Sequence, residues 1–345
     1  MLEGCLRLAL FSEWLAVDWL RSPGLYANFD QDDYWKLHLR WSGFSGFRPG
    51  WYHPLLGELI PRTEANPLGL LEPRTRFPDP DSREPVVLFY GDSYLASPLA
   101  QQSSRIPALL EDRLEGLPVL NFGMGGYGLD QIVLRFETTN ESFRNPRILI
   151  GILTGDVDRC VLSVRQGQKP RYVIREDGTL QLTNVPIERD QAAYLSRNPP
   201  QVRSWVLLLA RITLSRSRLA QAVPALRSND RAAEKTKIGR ALIERVVTQC
   251  RKRRIPLCFL IFYNSGALEW PTWPETFLRD TFDRIGACYL DTKPVLRSAV
   301  SSGRLSRDDL FDRETAHHTG LANEVIVDEL VRRWGSIELA IPDRQ

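Results

Sequence analysis

From residue 85 onward the chain alternates short, unbroken apolar runs with helical stretches, and this alternation constrains its fold more than any other feature. Val86-Val87-Leu88-Phe89-Tyr90 ends in Gly91 and offers no polar residue to water on either side, the pattern of a strand buried on both faces. A helical stretch near 104–115 leads to a second run at Pro118–Phe122. Another, over about 129–143, leads to a third run at Arg147–Leu153. The pattern resumes with a long helix at about 231–253, a strand at Pro256–Phe262, a helix near 274–285, a strand at Cys288–Leu290 and a last helix from about Thr319 to Trp334. Strands separated by helices need crossover connections, and right-handed crossovers build a parallel sheet with helices on both faces.

Two segments depart from this pattern. Over about 158–230, Arg171–Ile174, the Asp177-Gly178 turn and Leu180–Leu182 predict a hairpin, followed by a helix near 201–221. This reads as an insertion beside the sheet. Residues 24–85 are crowded with Gly, Pro and aromatics and show no helical or strand period, which predicts an irregular leader anchored to the core by its aromatic rings. The division expected is a leader at 1–84 opening with a helix, an α/β domain at 85–335 carrying the insertion, and a tail at 336–345.

Leu2–Leu20 predicts an amphipathic helix packed on the body. Glu3, Arg7, Glu13 and Asp18 interrupt it and no small-residue cleavage site follows, which argues against a signal peptide. No run of about 20 apolar residues is available for a membrane span. The sequence as it stands fits a cytoplasmic protein; a start further upstream, adding an anchor, would place it at the cell envelope.

Forty-five Lys and Arg against 42 Asp and Glu leave a net charge of +3, too slight to predict a nucleic-acid partner. The five cysteines form no C-x-x-C pair, so neither a zinc ribbon nor a disulfide framework is expected. Cys258 and Cys288 lie in apolar runs and read as buried free thiols. With only four histidines, no metal site is expected, and no cofactor.

Chemistry concentrates at three places. Gly91-Asp92-Ser93 follows the first strand, at the edge of a parallel sheet where ligands bind, and can present a serine hydroxyl to a cleft. Asn121-Phe122-Gly123-Met124-Gly125-Gly126-Tyr127-Gly128 follows the second. It lacks the spacing and Lys-Ser/Thr ending of phosphate loops, but its N–H groups suit an oxyanion. Before the last helix comes Phe311-Asp312-Arg313-Glu314-Thr315-Ala316-His317-His318-Thr319-Gly320, holding half of all histidines. A hydroxyl nucleophile needs a neutral imidazole to take its proton and a group to orient that imidazole. Glu314 stands three residues before His317 and Asp312 five.

These blocks, in this order, resemble the SGNH (GDSL-type) hydrolase superfamily over about 86–153 and 255–335. Asn121–Gln131, Lys169-Pro170 and Leu182-Thr183-Asn184 resemble bacterial members met near surface-polysaccharide genes. The resemblance implies a three-layer α/β/α sandwich around a central parallel five-stranded sheet, flavodoxin-like, with the hairpin-plus-helix inserted. It implies Ser93 as nucleophile, His317 as general base, Glu314 as the orienting acid, and the N–H groups of Ser93 and Gly126 as oxyanion donors. Asp312, His318, Thr154 and Asp156 are the alternates. The sequence departs from the family where Gly-x-Asn-Asp is usual: Thr154-Gly155-Asp156-Val157 has Gly155 in place of the asparagine donor. The activity implied is that of an esterase acting on a small-molecule or glycan ester, a carbohydrate deacetylase above all. The alternatives are an O-acyltransferase acting on exopolysaccharide and a non-catalytic glycan-binding module. The oligomeric state is not legible.

Overall fold

The five apolar runs become the five strands of one sheet in the computed structural model, which describes the chain except residues 13, 16, 45, 65, 72–77, 80, 97–100, 216–230 and 343–345. Strands β1 (Val86–Tyr90), β2 (Val119–Asn121), β3 (Pro146–Leu153), β4 (Leu257–Phe262) and β5 (Cys288–Asp291) pair in the order β2-β1-β3-β4-β5, all parallel. Every residue of β1 and β4 is buried. Their lack of polar alternation therefore reflects helices on both faces rather than one.

Alternate residues of these strands still serve different layers. Val87, Phe89, Leu149, Cys258, Leu260 and Phe262 join a core built with α2 (Ile106–Arg113), α8 (Thr292–Ser301) and α9 (Gly320–Arg332). On the opposite face Tyr90 meets Phe136 of α3 (Leu129–Thr139), and Phe259 stacks on Phe282 of α7 (Trp273–Ile285) at 4.6 Å. Short α1 (Ser93–Ala96) and α4 (Thr154–Arg159) follow β1 and β3. The long α5 (Ala232–Arg253) precedes β4 and α6 (Ser265–Glu269) follows it. This is the three-layer α/β/α sandwich expected.

The chain forms two compact units, Leu59–Cys160 with Thr236–Gln345, and Met1–Glu58 with Val161–Lys235. The first holds the sheet, and the leader from Leu59 onward belongs to it: buried Arg135 donates to the Leu68 carbonyl at 2.7 Å. The second joins the early leader to the insertion. Its hairpin pairs Arg171–Ile174 with Leu180–Thr183, and Trp205–Ser215 forms the expected helix as far as it is described; 216–221 lie outside the described residues. Leu2–Phe11 is the helix that opens the chain.

The leader is less irregular than its sequence predicts, since Asp32–Trp41 is a helix. It packs on two sides. Trp35 and Leu39 pack with Leu162 and Val164, while Leu37 packs with Leu10, Tyr26 and Trp205. Asp32 and Asp33 lie in its first turn, where carboxylates favour the helix dipole. Two helices not expected, Gln191–Arg197 and α8, each start at an aspartate that accepts a backbone N–H in the first turn. No helix among the described residues is long and apolar enough to cross a membrane.

Candidate active site

At the end of β1, Gly91 and Asp92 turn the chain into α1 and leave Ser93 at the carboxyl edge of the sheet. A Cβ at Gly91 would lie 2.6 Å from Leu95 Cδ1, so no other residue fits without repacking. Asp92 is fully buried. Its Oδ1 accepts the Tyr94 N–H at 2.9 Å, which caps the short helix that presents Ser93.

The glycine block after β2 crosses beside this turn. Phe122 N–H donates to the Phe89 carbonyl at 2.8 Å and Met124 N–H to the Gly91 carbonyl at 3.1 Å. Buried Asn121 accepts from Gly123 N–H at 2.9 Å and donates to the Leu95 carbonyl at 3.2 Å, tying the loop to α1. Gly126 sits at φ +85°, the left-handed region that favours glycine. A Cβ at its neighbour Gly125 would stand 4.0 Å from Ser93 Cβ, so the turn lies against the serine.

The third block folds as a tight loop. Asp312 N–H donates to the His317 carbonyl and Ala316 N–H to the Asp312 carbonyl, both at 2.8 Å. Tyr94 Oη, from α1, donates to the Ala316 carbonyl at 3.1 Å. These bonds bring His317 Nε2 to 2.8 Å from Ser93 Oγ. Residues separated by 224 positions thus form the contact a nucleophile–base pair needs. Partial burial pushes the His317 imidazole below its ordinary pKa, against the opposing pull of the Asp92 carboxylate, the Thr315 carbonyl and Asp312. The ring is therefore neutral at pH 7 and able to accept a proton.

The other expected residues fall differently. Glu314 is exposed and forms no hydrogen bond with His317; the loop turns its side chain outward, because the carboxylate of Asp312 already holds the Glu314 and Thr315 N–H groups and Thr315 Oγ1 at 2.9–3.0 Å. Asp312 thus shapes the loop, and neither carboxylate bonds the imidazole. His317 Nδ1 is buried without a partner of good geometry, although the Thr315 carbonyl is close enough to favour the protonated ring. His318 points into an aromatic box of Tyr94, Phe262 and Phe311, and burial lowers its pKa to about 3. It serves as core, not as a base for Ser93. Thr154 is buried at the start of α4 and makes no hydrogen bond with Ser93 or His317. Where the asparagine donor is usual, the space beside Gly155 is open: a Cβ there would meet only Leu153 Cδ2, at 3.9 Å.

Asp156 belongs to an ion network that the sequence did not announce. Arg159 Nη1 donates to Asp156 Oδ1 at 2.5 Å, to Asp92 Oδ2 at 3.0 Å and to the Tyr127 carbonyl at 2.8 Å. Asp156 also caps α4 by accepting the Leu153 N–H at 2.9 Å. One buried guanidinium therefore fastens together the loops that follow β1, β2 and β3. The Asp156-x-x-Arg159 spacing was visible as an i,i+3 helical pair, but Asp92 lies 67 residues away. Among the described residues no group of three or more His, Cys, Asp or Glu could hold a metal ion.

No family model matches the chain and no curated protein matches it. Among solved structures it is similar to a member of the lipolytic protein G-D-S-L family from Veillonella parvula, at 9% identity and a TM-score of 0.41 over 73% of this chain and 98% of that one. It is also similar to a psychrotrophic esterase from Pseudoalteromonas sp., at 12% identity and a TM-score of 0.41 over 73% of this chain and 99% of that one. An acetyl xylan esterase from Butyrivibrio proteoclasticus is similar at 11% identity and a TM-score of 0.35, over 74% of this chain and 64% of that one.

Proposed function

We propose that this protein is a serine esterase of the SGNH type that removes acetyl or other short acyl groups, with carbohydrate esters as its substrate class. The observation that carries the reading is the 2.8 Å contact between Ser93 Oγ and His317 Nε2 at the carboxyl edge of the sheet. Ser93 passes its proton to neutral His317 as its oxygen attacks the ester carbonyl. The N–H groups of Ser93 and Gly126 receive the charge that develops on the carbonyl oxygen. The imidazolium then protonates the departing alcohol, and the same ring activates the water that releases the acid. The acid member of a full triad is replaced here by loop geometry, with Asp312 holding the turn that aims the imidazole. Release of p-nitrophenol from p-nitrophenyl acetate, and of acetate from acetylated xylan, tests the reading. If neither ester turns over and a fluorophosphonate probe leaves the protein unlabelled, it is wrong.

The electrostatics of His317 set the pH dependence. Its neutral form is the active one, so activity falls as pH drops through its pKa, which burial holds below the ordinary 6.5. The acid limb of kcat/KM for an uncharged ester should therefore have its midpoint below pH 6.5; a midpoint above that value would contradict the burial argument.

The loop makes a second prediction, on the two carboxylates. Glu314→Gln should change kcat less than about threefold, because an exposed side chain with no bond to the ring has little to lose. Asp312→Asn keeps an acceptor but weakens three bonds to the turn, and kcat should drop by roughly tenfold to a hundredfold as His317 loses its aim. Steady-state kinetics of the two variants, each checked for native circular dichroism, decide the ranking.

A further inference from the structure

Cys258 and Cys288 are direct partners in the parallel register of β4 and β5. Their side chains therefore leave the sheet on the same face, from strands about 4.8 Å apart. That spacing lies within the range of about 4.4–6.8 Å between Cα atoms that a disulfide spans. The two sulfurs stand 2.6 Å apart, against a bond length of about 2.05 Å. Cys258 is buried in the core, whereas Cys288, on the edge strand, is only partly covered. Both sit at the amino ends of their strands, the edge opposite Ser93.

We propose that Cys258 and Cys288 form a redox-active dithiol that a low-molecular-weight disulfide, of the oxidised glutathione class, converts to a cross-strand disulfide. Cys288 gives up its proton, and its sulfur attacks one sulfur of the co-reactant. The co-reactant's S–S bond breaks and its first thiolate leaves, so that Cys288 is held in a mixed disulfide. Cys258, deprotonated in turn, attacks the Cys288 sulfur and expels the second thiolate. The two protons released by the cysteines go to the two departing thiolates, and the two electrons lost by the protein reduce the co-reactant.

The environments suit this division of labour. The hydrogen bond with Cys258 lowers the Cys288 thiol below its ordinary range, opposed by its partial burial and helped by the charge of Arg333. The same hydrogen bond, together with burial, raises Cys258. The reachable sulfur is thus the better thiolate, as an attacking cysteine requires, and the buried one resolves. Of the other cysteines, Cys5 is exposed and Cys160 and Cys250 are buried.

The test uses the full chain with Cys5→Ser, which removes the exposed competitor. The reduced protein is incubated folded with oxidised glutathione, quenched in acid, unfolded, alkylated and digested. Mass spectrometry should find a peptide pair joined through Cys258 and Cys288 that dithiothreitol separates, with Cys160 and Cys250 alkylated. In a Cys258→Ser background, Cys288 should stop at the glutathione adduct. In Cys288→Ser, Cys258 should remain alkylatable. Full alkylation of Cys258 and Cys288 after oxidation overturns the proposal, as does a glutathione adduct that persists on Cys288 when Cys258 is intact. Ester hydrolysis should be the same before and after oxidation, because the pair lies at the far edge of the sheet. Should either serine variant fail to fold, the result on the parent chain decides alone.

Discussion

Ser93→Ala should abolish ester hydrolysis, with kcat falling by at least about 10⁴-fold, which corresponds to about 5.5 kcal/mol of barrier. The size follows from what is removed. The oxygen proposed to attack the carbonyl is gone, and the neighbouring N–H groups and His317 are left with only water to activate. Stability should hardly change, since the hydroxyl is partly exposed and its strongest contact is the imidazole itself. Labelling by a fluorophosphonate should vanish with the activity. His317→Ala should come close to the same loss, and the double variant should be no worse than either single one, because groups that act as a unit are not additive. Retention of a tenth or more of wild-type kcat in Ser93→Ala would remove Ser93 as nucleophile. Unchanged glycan binding with no turnover in the parent protein would instead support a binding module.

The second large effect is on folding. Arg159→Leu leaves Asp92 and Asp156, both fully buried, without the cation that balances them. Removing one partner of a buried pair costs about 3–5 kcal/mol, which guanidinium denaturation should show as a marked drop in midpoint at unchanged m. The loss reaches the site as well. The same guanidinium holds the Tyr127 carbonyl, one residue from Gly126, and the Asp92 carboxylate that caps α1 under Ser93. At temperatures where the variant stays folded, kcat should fall by roughly tenfold or more with KM little changed, the signature of misplaced rather than missing machinery. Adding Asp156→Asn to Arg159→Leu removes one of the stranded charges and should recover part of the stability. If the double variant is instead destabilised by the sum of the single effects, the buried charges are not what Arg159 is there to balance.

The legible part of the site was the part written in short local segments. Gly91-Asp92-Ser93 turns sharply because of its glycine and its capping aspartate, and both properties act within three residues. Asn121 folds back on Gly123, two residues away. Glu314 was the natural candidate for the acid on spacing alone, and spacing misled: Asp312 spends its carboxylate on the turn's own N–H groups and leaves Glu314 facing outward. No count of residues to the histidine could show which carboxylate the loop would consume.

The sequence by itself determined the sheet, because strands buried on both faces must be apolar throughout, and helices between them must cross over in one hand. It also singled out Ser93, the glycine turn and the neighbourhood of the histidine, segments that the fold brings together. The tertiary structure alone decided what depends on packing between segments far apart in the chain. Strand order β2-β1-β3-β4-β5 sets Cys288 beside Cys258, two thiols that the sequence shows only as members of separate apolar runs. The meeting of three strand ends puts Arg159 between Asp92 and Asp156, where a charge pair spread over 67 residues replaces anything a local motif could encode. The helix Asp32–Trp41 packs on two sides, with Leu162 and Val164 on one and Leu10, Tyr26 and Trp205 on the other, partners that only the fold brings to it. In each case the physical reason is the same: the partner that gives the residue its role is a neighbour in space and a stranger in sequence.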